Sequence, residues 1–149
     1  MAHGNNCVRF VIRLAHALIA AGTPGLFENP WPAWSWRLPP MVELMRARSV
    51  RLTRTDFCCY GTPWKKSIGF LSVLVDTAPF DKQCRQRAIC EFTGKPHFSL
   101  TGQRADGVFW THVAEPYPKK LCSDLVLACR NSVLAVSAER LDKVFCKLC

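Results

Sequence analysis

Between Asn5 and Ala21 the apolar residues Val8, Val11, Ile12, Ala15, Leu18 and Ile19 are spaced by three, one, three, three and one. That is the period of one helical face. Gly22 and Pro24 stop the helix. Gly25-Leu26-Phe27 reads as a short buried strand ending at Glu28-Asn29-Pro30. Trp31–Pro40 mixes Pro32, Pro39 and Pro40 with Trp31, Trp34 and Trp36, the pattern of a loop held by aromatic anchors. Met41–Arg48 is a short helix candidate, and Val50–Phe57 alternates as a strand does. Tyr60-Gly61-Thr62-Pro63 is turn chemistry, and Ile68–Val75 is a β-prone apolar run. Residues 76–118 are punctuated by Pro79, Gly94, Pro96, Gly102, Gly107, Pro116 and Pro118, so they read as loop. Leu121–Val136 has helical spacing. Ser137–Leu148 reads as a further helix with Ser137 as its N-cap, although Arg140 stands where a capping box has glutamate.

The order is helix, strand, helix, strand, strand, irregular segment, helices. It predicts an α/β fold: half of an open sheet ending in a hairpin-like pair. Three segments follow, with sheet-forming elements in 1–75, loops in 76–120 and helix in 121–149. The 149 residues suffice for one domain with a core. An apolar share of 49% excludes a compositionally disordered chain. No run of about 18 uncharged apolar residues occurs, so no membrane partner is expected.

Charge changes the picture more. The net charge is +9 and is concentrated in two blocks. Residues 37–66 carry Arg37, Arg46, Arg48, Arg51, Arg54, Lys65 and Lys66 against Glu43 and Asp56. Residues 82–104 carry Lys82, Arg85, Arg87, Lys95 and Arg104 against Glu91. Such blocks suit a polyanion, because basic side chains near phosphates release counterions. A solvated basic face without a partner is the plainer alternative.

The chain has 9 cysteines, an odd number with irregular spacing, which reads as reduced thiols in an intracellular protein. Arg13 and His16 interrupt any signal-peptide apolar core. Cys84-x5-Cys90-x6-His97, with Cys122 later, offers four zinc ligands in a segment short of core residues. The alternative is isolated buried thiols. Cys58-Cys59 reads as strand-end packing, and Cys146 with Cys149 as a weaker metal pair.

Three stretches, taken together, resemble the second half of a cytosine-5 DNA methyltransferase catalytic domain. They are Gly25-Leu26-Phe27-Glu28-Asn29-Pro30, then Val50–Phe57, then Tyr60-Gly61-Thr62-Pro63-Trp64-Lys65-Lys66 running into Ile68–Val75. In that family a strand ends in Glu-Asn-Val. After a helix come a strand, a Tyr-Gly-x-Pro-Gln turn, an Arg-rich segment and a return strand. Ala114-Glu115-Pro116-Tyr117-Pro118, with Leu121-Cys122, is similar to a tail of divergent, mobile-element-like or phage-like relatives.

The resemblance implies the last strands of an open sheet of the class I methyltransferase type. It implies that Glu28 corresponds to the acid that holds cytosine N3 and the exocyclic amine, with Asn29 orienting the loop. It also implies that the base is flipped out of the stack. Lys66 falls where the first arginine of the family's turn would be. Arg37, Arg51, Arg54, Lys65 and Lys66 are the candidate nucleic-acid contacts.

The departures carry their own expectation. Pro30 replaces the family's valine, Trp64 its glutamine and Ile68 its second arginine. The chain has no Pro-Cys dipeptide to supply the nucleophile and no glycine-rich loop for S-adenosylmethionine. It is therefore expected to bind no S-adenosylmethionine and to be inactive alone. A chain carrying the missing first half is a candidate partner. The alternatives are a basic nucleic-acid-binding module or a truncated product without function.

Overall fold

The computed structural model describes residues 2–145. The order is helix α1 (Ala2–Ala21), strand β1 (Gly25–Pro30), helix α2 (Pro39–Leu44) and strand β2 (Val50–Asp56). Strand β3 (Ser67–Val73), helix α3 (Trp110–Val113) and helix α4 (Lys119–Phe145) complete it. Short 3-10 turns cover Trp34–Arg37, Phe57–Tyr60 and Ala78–Phe80. The expected strands and first two helices are all present, shifted by a few residues at their ends.

The sheet is small, open and antiparallel, in the order β1-β3-β2. The last strand in sequence is therefore the central one. β1 meets it in the register Gly25↔Val73 to Pro30↔Ile68, and β2 in the register Val50↔Val73 to Asp56↔Ser67. β1 and β2 share a direction without touching.

β3 is apolar on both faces because both faces are covered. Leu71 and Val73 enter a cluster with Ala15 of α1, Met41 and Leu44 of α2, Trp36 and Val50. Ile68 and Phe70 enter a second cluster with Phe57, Phe80 and Leu121 of α4. The described residues thus form three layers: α1 and α2, the sheet, and α4 with Phe80 and Tyr117. Gly69 sits where a Cβ would come 3.1 Å from Trp36 Cζ2, so the indole lies directly on the strand. Phe70 and Phe80 meet edge to face with centroids 5.4 Å apart.

Leu71 is fully buried. Leu71→Ala is expected to cost about 3 kcal/mol, the usual range for a buried leucine leaving a cavity. Urea unfolding measures it, and a loss under about 1 kcal/mol would show a first cluster that collapses around the gap.

The C-terminal region differs from the expectation of separate helices. Lys119–Phe145 is one helix. Ser137 is inside it and donates to Val133 O at 2.9 Å, as a helix-interior serine does, so it caps nothing. Within α4, Lys119–Ala138 has a mean hydropathy of 1.4, long and apolar enough to cross a membrane by length and composition. Here Leu121, Leu125 and Ala128 pack on the second cluster, and Asp124 pairs with Lys82 at 3.6 Å.

Candidate metal centre and basic edge

β2 ends at Asp56 and delivers Cys58 into the 3-10 turn Phe57–Tyr60. Residues 82–84 run beside this end: Asp56 N–H donates to Lys82 O at 2.8 Å and Cys84 N–H to Asp56 Oδ2 at 2.9 Å. Cys58 and Cys84 thereby meet. Downstream, Ile89 and Pro96 form a β-bridge closed by Cys90 N–H to Lys95 O and Gly94 N–H to Cys90 O, both 2.8 Å. Gly94 takes φ +66°, which a glycine adopts freely. The loop sets Cys90 and His97 side by side.

The result is Cys58, Cys84, Cys90 and His97 with their ligand atoms within 4.8 Å of one another, a cluster that can hold a metal ion. Cys84 Sγ is 3.7 Å from His97 Nε2. His97 Nδ1 donates to Arg87 O at 2.9 Å, which leaves the Nε2 lone pair facing the thiols. The three cysteines are buried. Three sulfurs and one imidazole make a soft, four-donor set.

The electrostatics suit a cation. Burial raises the Cys58 thiol, and the neighbouring Cys59, Cys84 and Cys90 raise it further, because thiolates this close repel. Burial also raises Cys59, to about 11, with Asp56 adding to it. Cys90 is the exception: burial works against its thiolate, yet hydrogen bonds from Thr93, the Phe92 and Thr93 amides and His97 hold it at about 6.

Three of the four ligands expected from the sequence come together; the fourth is Cys58 in place of Cys122. Cys122 follows the fully buried Leu121 on α4 and so points outward, exposed, with Sγ 4.0 Å from Tyr117 O. Cys58 was legible only as a cysteine at a strand end. Cys146 and Cys149 lie outside the described residues.

Glu28 and Asn29 sit in the last part of β1, opposite Phe70 and Gly69. Glu28 hydrogen-bonds the Tyr117 hydroxyl, whose pKa is pushed up by burial and by that carboxylate. Asn29 Nδ2 donates to Ser35 Oγ at 2.7 Å. With Cys7, Trp36 and Met41 they line a cavity of about 190 Å³ between α1 and the end of β1.

The basic candidates divide. Arg37 stacks at 5.4 Å on Trp34, which is 76% exposed. Arg51 is exposed on β2. Arg54 stacks at 5.6 Å on Trp31 and pairs with buried Asp56. Lys65 and Lys66 turn inward: Lys65 Nζ donates to the Cys84 and Gln86 carbonyls, and Lys66 Nζ to Ala114 O at 3.0 Å. Trp31–Arg37 holds three tryptophans and one arginine, and the sequence does not say which indole meets which guanidinium, least of all that Trp31 meets Arg54 of β2.

No protein-family model, curated protein or solved structure matches the chain.

Proposed function

We propose that this chain is a zinc-stapled, intracellular nucleic-acid-binding domain descended from the second half of a cytosine-5 DNA methyltransferase-like sheet. It transfers no methyl group by itself. The observation that carries the binding function is the pair of Trp–Arg stacks directly after β1, Trp31 with Arg54 and Trp34 with Arg37. An exposed indole backed by a guanidinium offers a base one aromatic face and one positive charge.

The ancestry is supported by a return strand, β3, running against the strand that carries Glu28 and Asn29. Zinc is favoured for the cluster because three thiolates and a histidine select a borderline-soft, tetrahedral ion. It would tie Cys58 at the sheet to Cys84, Cys90 and His97 in a segment that leaves Ile89, Phe92, Phe98, Val108 and Phe109 exposed. A reducing, intracellular compartment agrees with a cluster that needs its cysteines as thiols.

Anisotropy of a labelled oligonucleotide tests the binding. Affinity is expected to fall as salt rises, and Trp34→Ala with Arg37→Ala to weaken it by about ten-fold, one stacked base with its charge. An affinity that ignores both salt and the double substitution would leave the stacks without a function.

A further inference from the structure

Asp56 lies between the metal cluster and the Trp31 stack. It is the last residue of β2 and is fully buried. Its Oδ2 accepts the Cys84 N–H at 2.9 Å, on one side. On the other, Arg54 Nε reaches Oδ1 at 3.2 Å and Nη2 reaches Oδ2 at 3.3 Å. Arg54 continues to Ser67 Oγ at 3.2 Å, and its guanidinium stands over Trp31 at 5.6 Å. Lys65 closes the ring: its Nζ is 3.7 Å from Asp56 Oδ2 and donates to the carbonyl of Cys84.

One buried carboxylate therefore holds the backbone of a metal ligand and the guanidinium of a base-stacking pair. A buried carboxylate depends on its donors, since removing one leaves charge without compensation. The Cys84 amide reaches Asp56 only while residues 82–84 lie along the end of β2, the arrangement that also presents the Cys84 sulfur to the cluster. Metal binding holds that arrangement. With it lost, Asp56 keeps Arg54 as its nearest charge and no longer fixes where the guanidinium stands relative to Trp31.

We infer that Asp56 is a positioning residue that couples metal occupancy to nucleic-acid binding, so that the metal centre regulates the Trp31–Arg54 face. This rests on the zinc and nucleic-acid readings above. The coupling is reciprocal: whatever factor metal adds to nucleic-acid affinity, nucleic acid adds to metal affinity.

The experiment measures affinity for a labelled oligothymidylate with zinc bound and after zinc removal by a chelator, and zinc affinity with and without saturating oligonucleotide. Both ratios are expected near five-fold, the low end of ordinary coupling energies. Arg54→Gln touches no metal ligand and leaves Lys65 and the Cys84 N–H on Asp56; its oligonucleotide affinity is expected to be lower in both metal states, while both ratios fall to about one. Equal wild-type affinities in the two metal states overturn the coupling. So does a ratio that survives in Arg54→Gln, because it would come from general loosening of the chain. Protein that takes up no zinc overturns the proposal through the metal reading, and zinc-loaded protein that binds no oligonucleotide overturns it through the nucleic-acid reading.

Discussion

Stripping the metal is expected to lower stability by about 4 kcal/mol, the effect of an ion present at a thousand times its dissociation constant. The melting temperature falls by roughly 10 °C for a domain of this size. The loss concentrates in residues 82–98. Their exposed Ile89, Phe92 and Phe98 contribute little burial, so hydrogen bonds and the metal, with little apolar packing, hold the loop. Metal analysis by mass spectrometry of the purified chain should give one zinc per molecule. Cys58→Ser, Cys84→Ser, Cys90→Ser and His97→Ala should each lose it, and Cys122→Ser should keep it. Equal losses from Cys58→Ser and Cys122→Ser would mean that the ligand set is not the one gathered at the end of β2. Amide hydrogen exchange adds a location: protection should vanish first between Cys84 and Phe98, with β3 unchanged.

The second expected result is all or none. Incubated with S-adenosylmethionine and either duplex or single-stranded DNA, the chain should leave cytosine unmethylated. Methyl transfer to C5 needs a thiolate at C6, an acid at N3 and a donor in line, all within reaction distance. In the ancestry proposed above only the acid has a counterpart, Glu28. It is engaged by Tyr117, and no Pro-Cys supplies a nucleophile beside it. Of the cysteines near the sheet's end, Cys58 and Cys59 have thiols raised by burial, which opposes nucleophilic use. A radiolabelled transfer assay decides it. Transfer above background that disappears in Glu28→Gln would overturn the inactivity and establish the family. Transfer that arises only on adding a chain with the first four strands of a methyltransferase-type sheet would identify a split enzyme.

Periodicity was a good guide wherever an element has one apolar face or is apolar throughout. Val8, Val11, Ile12 and Ala15 face the first cluster as their spacing implied, and the Ile68–Val73 run is the doubly covered strand. The strand order was not legible, because nothing in residues 50–73 says that β3 inserts between β1 and β2. That depends on β1 finding it across 38 or more residues. The C-terminal break at Ser137 was misread because serine is as compatible with an interior position, bonded one turn back, as with a cap.

At the metal cluster, Cys84, Cys90 and His97 could be read from their local spacing. Cys58 could not, being brought in by the parallel bridge between Thr55 and Lys82. The inward turn of Lys65 and Lys66 was equally hidden. A lysine's charge marks a surface until a row of backbone carbonyls such as those of Cys84, Gln86 and Ala114 gives its ammonium a partner.

The central place of β3 sets the sequence of events during synthesis. β1 and β2 each pair with β3 and not with each other, so a nascent chain that has released only its first 66 residues holds two strands and no ladder. The first pairing open to it is the β2–β3 hairpin, whose closing pair Asp56↔Ser67 spans a short loop. β1, already attached to α1, docks afterwards on the other side. Truncation before Ser67 should leave a species with its apolar strands uncovered, the kind that ribosome-associated chaperones retain, whereas truncation after Val73 keeps every strand pairing available.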